Sequence, residues 1–351
     1  MAANGRIEYI DAMRGFTMIL VVYTHICHFC LGDSFLGFNP VFILFRLPCF
    51  FMLSGWLFER VALRPFAEIA RHKARVQLVP TFFFLFLLCP PPDFFHQLGS
   101  LKGGYWFTFV LFEFFIIYML IVRKCRRYGF AVALLLSVLS FFYDAYRNDY
   151  FTRPGFSISA VLGFFSFPLW RFFLFFYLGA WMHRHFDAFL RWTDLPLTLL
   201  ALTIVFSFTA AMSRFDEPYF EILRFYIGGI AGMWLIFTCF RGLYSQPLIR
   251  SSVSSIFHLP SSILRFIGTR TLDIYLLHYF FLPRFLSSYT GWLRSFNSPI
   301  VEFFYILAVS LCVLALSLLV SYVIRLSPVL AYYLFGVKRP QDIQQKPIHE
   351  L

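Results

Sequence analysis

One short stretch concentrates side chains that can do chemistry. Residues 24–30 read Thr-His-Ile-Cys-His-Phe-Cys. His25 and His28 are candidate bases or metal ligands, and Cys27 and Cys30 are candidate ligands or nucleophiles. On an α-helix, at about 100° per residue, the two histidines share one face and the two cysteines the opposite one. Four side chains of one helix cannot surround an ion tetrahedrally, so no metal centre is expected from this segment. The order Cys-His-x-x-Cys is also not the haem-attachment order. The seven cysteines of the chain have no paired spacing in polar loops and read as packing residues.

His25 differs from its neighbours because of Arg14, eleven residues earlier. Eleven steps overshoot three full turns by only about 20°, which puts both on one stripe about 16.5 Å apart along the axis. Ionisable groups inside an apolar helix are expensive and usually face a polar cavity. A guanidinium suits a phosphate or carboxylate; an imidazole suits proton removal or brief carriage of an acyl group. Asp11, three residues before Arg14, is placed to hold the guanidinium.

The elements that must position these groups follow from composition. The chain has 351 residues, is 60% hydrophobic and only 14% charged, with 51 phenylalanines. So much apolar surface needs lipid as solvent, so an all-α polytopic membrane protein is expected. Spans are expected at 15–31, 40–58, 76–89, 105–122, 128–143, 163–182, 195–212, 222–240, 271–286 and 300–324. These ten helices make one transmembrane domain over 1–351, with no soluble domain. The longest connection, 241–270, reads as a basic, Ser-rich loop. The "GGIAG" run at 228–232 suits close helix packing. The N-terminus carries acids and no A-x-A-like cleavage site, so the first apolar run is expected to stay as a span.

With ten spans, twenty Lys and Arg fall on the side of the termini and five on the other. That bias places both termini in the cytoplasm. The net charge of +12 then reflects the positive-inside bias and anionic lipid, and no nucleic-acid partner is expected. His25 lies past mid-depth, toward the outside. Glu113 enters from the outer end of its own helix by about 12 Å, roughly the depth of His25. It is a candidate carboxylate partner for that histidine, or a structural hydrogen-bonding group. His278 and Tyr275, three apart on one helix face, read as cavity lining or as packing. Ser54 and Gly55 permit close approach of a helix or ligand. Arg46 faces an anionic or sugar group, or snorkels to the interface. Arg71, Lys73 and Arg75 form a basic cluster that suits phosphates or is ordinary cytoplasmic charge.

Several stretches together resemble the acyltransferase family 3 membrane proteins. "YIDAMRGFTMILVVYTHI" (9–26) is similar to the family's first helix, with Asp-x-x-Arg-Gly and then Arg, ten residues, His. "LPCFFMLSGWLF" (47–58), "RHKARVQLVP" (71–80) and "YWFTFVLF" (105–112) resemble the second helix, the basic loop and the start of the fourth helix. "FIGTRTLDIYLLH" (266–278) resembles a late helix of the family, with Thr271 in place of the usual Ser. The resemblance covers nearly the whole chain in order.

It implies an O-acyltransferase of the plasma (inner) membrane. Such an enzyme moves an acyl group, often acetyl, from cytoplasmic acyl-CoA to a hydroxyl of an extracytoplasmic sugar, of a glycan such as a polysaccharide, or of a lipid-linked saccharide or glycolipid. It uses acyl-CoA as co-substrate and no metal. His25 would be base or carrier, with Glu113 and His278 as further catalytic candidates. Arg14, Arg71, Lys73 and Arg75 would bind the donor. Asp11, Ser54, Tyr275 and Arg46 would support them. The alternative reading is a transporter or flippase for an acidic or lipid-linked solute, using the same Arg14 and His25 without chemistry. Against it, the sequence lacks an evident inverted repeat.

Overall fold

The computed structural model of the chain describes residues 7–89, 102–150, 158–212, 218–245 and 254–337, with Phe94, Gln97 and Leu98. Among these there is helix and no strand. Arg6, Arg153, Arg214, Arg250, Lys338, Arg339 and Lys346, which entered the charge count, lie outside the described residues.

In chain order the α-helices begin with α1 (Glu8–His25), α2 (Asn39–Glu59), α3 (Phe66–Lys73) and α4 (Val79–Leu88). Next come α5 (Trp106–Lys124), α6 (Gly129–Tyr150), α7 (Ile158–Phe164), α8 (Phe173–Arg184) and α9 (Phe186–Thr193). They are followed by α10 (Pro196–Ala211), α11 (Pro218–Leu223), α12 (Gly229–Ser245) and α13 (Ser254–Thr269). Last are α14 (Thr271–Leu277), α15 (Thr290–Ser295), α16 (Pro299–Arg325) and α17 (Pro328–Phe335). Among the described residues three π turns, Ile26–Cys30, Ala74–Leu78 and Arg224–Gly228, extend or join them.

Among the described residues, six stretches are long and apolar enough to cross a membrane. They are Glu8–Cys30, Asn39–Glu59, Trp106–Lys124, Arg126–Tyr146, Phe220–Tyr244 and Pro299–Arg325. They match six of the ten expected spans. A seventh exists if α9 and α10, bent by 82°, count as one. The protein is thus a polytopic membrane protein, with six or seven of the ten expected spans meeting that length and composition test among the described residues. The other expected spans are short or interrupted, and most of the breaks have a visible cause. Pro168 opens a 3-10 turn, Phe167–Phe172, inside the expected 163–182 helix. The 271–286 helix stops at Leu277, becomes 3-10 over His278–Phe281, and meets Pro283. Pro196 opens α10 after the bend. In 76–89, α4 ends at Leu88 with Cys89 extended, just before three consecutive prolines in the sequence.

A second revision concerns 241–270. Much of it is helix α13, not loop. The serines hide an inward stripe of Leu264, Ile267 and Gly268, spaced three and one apart, which continues to Thr271.

The described chain falls into two compact units. The first comprises Met1–Glu59, Leu174–Thr271 and Phe281–Ala315. Its centre is α1, buried along most of its length. Gly15 of α1 and Gly268 of α13 face each other's backbones. A Cβ on Gly15 would overlap the carbonyl oxygen of Leu264, and one on Gly268 would overlap that of Asp11. A second reciprocal pair joins α2 to α8: a Cβ on Gly55 would strike Phe176 O, and one on Gly179 would strike Met52 O. The approach expected at Ser54–Gly55 is therefore made by a helix. Small residues at both crossings let backbones touch where lipid provides no hydrophobic drive. The 228–232 glycines meet side chains instead, such as Phe175 at Gly229 and Phe206 at Gly232.

The second unit comprises Arg60–Phe173, Leu272–Phe280 and Leu316–Leu351. There Asp273 is buried and receives both Arg325 Nε (2.8 Å) and Nη2 (2.9 Å), with Ser321 donating as well. A carboxylate so paired is tolerable in a poorly hydrated interior. Of the seven free cysteines, Cys27, Cys30, Cys49 and Cys89 are buried, as packing residues should be, whereas Cys125, Cys239 and Cys312 are exposed.

The glycine contacts lead to a direct test. Gly15→Ala and Gly268→Ala should each destabilise the purified protein by about 1–3 kcal/mol through overpacking against a carbonyl that cannot yield. Gly242→Ala, where nothing lies within 4 Å, should be neutral or slightly stabilising. Thermal melts in detergent read both; equal melting temperatures for all three variants would refute the backbone contact.

Candidate functional site

In the first unit, the eighteen residues of α1 run unbroken from Glu8 to His25, so the stripe joining Arg14 and His25 exists as a continuous helical face. Both side chains are half-buried, at the two ends of an otherwise packed row in which Met18 and Val21 are buried. Arg14 Nη2 donates to Thr271 Oγ1 at 2.8 Å. Its Nη1 lies 3.6 Å from Asp11 Oδ1, and Asp11 is buried. The guanidinium is thereby oriented while about a quarter of the side chain stays accessible. Thr17 turns its hydroxyl back onto the carbonyls of Met13 and Arg14 at 3.0 Å.

Beyond His25 the helix widens. The π turn Ile26–Cys30 closes with Leu31 N donating to Ile26 O at 3.0 Å, so the regular α spacing assumed for 24–30 ends at Ile26. Cys27 and Cys30 are buried, while His28 and Phe29 are exposed. The ring of Phe29 meets those of both His25 and His28, with centroids 5.4 and 4.8 Å away. Among the described residues no three His, Cys, Asp or Glu side chains gather as metal ligands would.

The loop after the π turn is held at several points. Thr24 donates to Asn39 Oδ1 (2.7 Å), and Asn39 Nδ2 donates to Ser34 O (2.7 Å). Gly37 N donates to Glu302 Oε2 (2.7 Å), Thr290 Oγ1 to Leu31 O (2.7 Å), and Arg294 Nε to Asp33 Oδ2 (2.9 Å). Elsewhere in this unit, Arg46 is half-buried on α2, and Ser54 donates to Phe50 O at 2.8 Å.

The remaining candidates lie in the second unit. Arg71 is exposed on α3. Lys73 Nζ sits 4.4 Å over the Phe115 ring. Arg75, within the π turn Ala74–Leu78, donates to Tyr332 Oη (2.5 Å) and lies over that ring. Two of the three expected phosphate ligands are thus braced by aromatic rings. Glu113 is half-buried, and Trp170 Nε1 donates to its Oε2 at 2.8 Å. Lys102 is buried in a left-handed backbone conformation, and its Nζ donates to Leu98 O (3.0 Å) and Gly163 O (3.3 Å). Burial pushes its ammonium below the ordinary lysine value, with the Glu113 charge acting the other way.

Tyr275 and His278 are both buried. Tyr275 Oη donates to Gly104 O (3.0 Å) and accepts from Phe107 N (3.2 Å). Tyr279 Oη also donates to Gly104 O (3.0 Å), where Gly104 has φ +94° and no room for a Cβ. His278 Nδ1 donates to Ile274 O at 3.0 Å, which fixes Nδ1 as a protonated nitrogen.

Sequence reasoning named Asp11, Arg14 and His25 but not Thr271 as a partner of Arg14. The Ser-to-Thr departure at that position was its one visible signal. Trp170 gave no signal because its partner Glu113 is 57 residues away, and Lys102 gave none because its acceptors are backbone carbonyls.

The comparisons with known proteins add one result. A family model described as an acyltransferase domain, acyltransferase 3, matches residues 7–325. Neither the curated proteins nor the solved structures gave a match.

The pinned loop yields a pH prediction. Burial pushes the Asp33 carboxyl up, but hydrogen bonds from Arg294 and the Phe35 amide and the Arg294 charge outweigh it, so it titrates below the ordinary value. Its stabilisation is therefore present above the unfolded carboxylate pKa and is lost as pH falls through the depressed folded one. Asp33→Asn should lower the melting temperature slightly at pH 7, the pair being partly solvated, and not at all at strongly acid pH. A deficit of the same size at both pH values would contradict this.

Proposed function

Because the chain belongs to the acyltransferase 3 family, we propose that this membrane acyltransferase moves an acyl group, acetyl being the simplest, from acyl-CoA to a hydroxyl of an extracytoplasmic sugar, glycan or glycolipid. The observation that carries the reading is the α1 stripe. It sets an oriented guanidinium and an accessible imidazole on one helical face, eleven residues apart. The family match over 7–325 supports treating both compact units as parts of one acyltransferase domain. A transporter or flippase needs no such base, and family membership weighs against it.

Arg14 binds a phosphate of the donor, with Asp11 and Thr271 fixing its plane. Arg71, Lys73 and Arg75 are the further donor-phosphate candidates. His25 takes the proton from the acceptor hydroxyl as that oxygen attacks the thioester carbonyl. The C–O bond forms, the C–S bond breaks, and the departing thiolate recovers the proton from the imidazolium. Glu113 and His278 serve as supporting catalytic candidates, and Tyr275, Ser54 and Arg46 as positioning ones. The membrane is the plasma (inner) membrane. Both termini and Arg14 lie on the cytoplasmic side, and His25 about 16.5 Å further out.

His25→Ala should abolish transfer in a folded protein. Arg14→Ala should raise the donor KM about tenfold or more, the usual cost of one charged hydrogen bond, with less effect on kcat. In sealed, oriented vesicles, labelled acetyl-CoA should work from the cytoplasmic face alone, with product on the other face. Wild-type rates from His25→Ala, or equal use of donor from either face, would sink the reading. Acyl label trapped on His25 would make it a carrier instead of a base.

A further inference from the structure

The π turn after His25 does more than end a helix. α1 is packed on almost every side, yet His28 and Phe29, three and four residues past His25, are exposed, with Phe29 43% accessible. The Phe29 ring is in steeply inclined contact with the rings of both His25 and His28. An aromatic ring in contact with two imidazoles is a poor surface for acyl chains, because each imidazole presents a polar nitrogen at its margin. It suits a ligand with an apolar C–H face and hydroxyls around its edge, which is a pyranose ring.

His28 is itself held for such contact. Its Nδ1 is 3.2 Å from Ser34 Oγ, which leaves Nε2 as the outward polar atom. Ser34 belongs to the loop fixed through Asn39, Glu302, Thr290 and Arg294. The site is thus preorganised from the residues after α1, not assembled from mobile chain. It is also adjacent to the proposed base through one shared ring.

We propose that His28 and Phe29 form the acceptor subsite, with a saccharide ring stacked on Phe29 and one of its hydroxyls hydrogen-bonded to His28 Nε2. This rests on His25 as the catalytic base. The subsite presents a second hydroxyl of the same ring to His25, so the acceptor is a cyclic polyol and not a simple alcohol or a lipid hydroxyl.

The test uses the full-length protein in nanodiscs with acetyl-CoA and three acceptors: methyl β-glucoside, glycerol and water. The wild type should acylate the glucoside with a lower KM than glycerol. Phe29→Ala and His28→Ala should each raise the glucoside KM about fivefold to tenfold, while glycerol transfer and acetyl-CoA hydrolysis stay unchanged. Phe29→Trp should restore a low glucoside KM, and a merely structural role for Phe29 would not give that rescue. The proposal is overturned if the wild type does not prefer the glucoside, or if the Phe29→Ala and His28→Ala variants leave its KM unchanged while His25→Ala abolishes turnover. It also falls if all three acceptors lose rate equally, which would mark damage to the fold. Full activity of His25→Ala would instead remove the base on which the subsite rests.

Discussion

The reciprocal contact between Gly15 and Gly268 governs the first unit. With no side chain on either residue, the α1 and α13 backbones meet directly. That closeness brings Thr271, just past the end of α13, within hydrogen-bond reach of Arg14. It also presses the Asp11 carbonyl against Gly268 while the Asp11 carboxylate faces Arg14. A methyl group at either glycine would push the helices apart and move the guanidinium from its acceptor. Positioning of a charged group in a membrane thus depends on two residues that carry no chemistry.

Charges elsewhere are handled by the same economy. Asp273 is met by both nitrogens of Arg325 and by Ser321, and Glu59 pairs with Arg184 Nε at 3.0 Å. Each carboxylate has a guanidinium in its own unit. Unpaired, such groups would carry a desolvation cost that packing alone does not offset. Arg14 has a hydroxyl partner as well, Thr271 Oγ1 at 2.8 Å, beside Asp11 at 3.6 Å.

Much of this was legible in the sequence because it is local. Asp11, Arg14 and His25 lie on one helix, so helical periodicity alone ordered them. Six apolar runs of full length were equally plain. The errors arose where the chain bends or where partners are remote. Pro168 and Pro283 interrupt runs whose hydropathy looks continuous, so periodicity drew unbroken helices where the chain has breaks. In 254–269 the serines imitated a loop, though the inward stripe was present at helical spacing. Thr271 with Arg14 and Trp170 with Glu113 are pairings across 257 and 57 residues. No single-chain pattern reports those. The widening at Ile26 was also hidden, since a π turn has no composition of its own.

That widening has a consequence for how the chain can vary. Within Ile26–Cys30 each backbone bond skips one residue more than in an α-helix, so the coil there holds a surplus residue. The loop beyond is tethered at fixed points, so the surplus cannot be passed downstream. The phase between His25 and His28 is then set by the number of residues as much as by their kinds. A chain one residue shorter here would keep every chemical group and still present its second imidazole in a different direction.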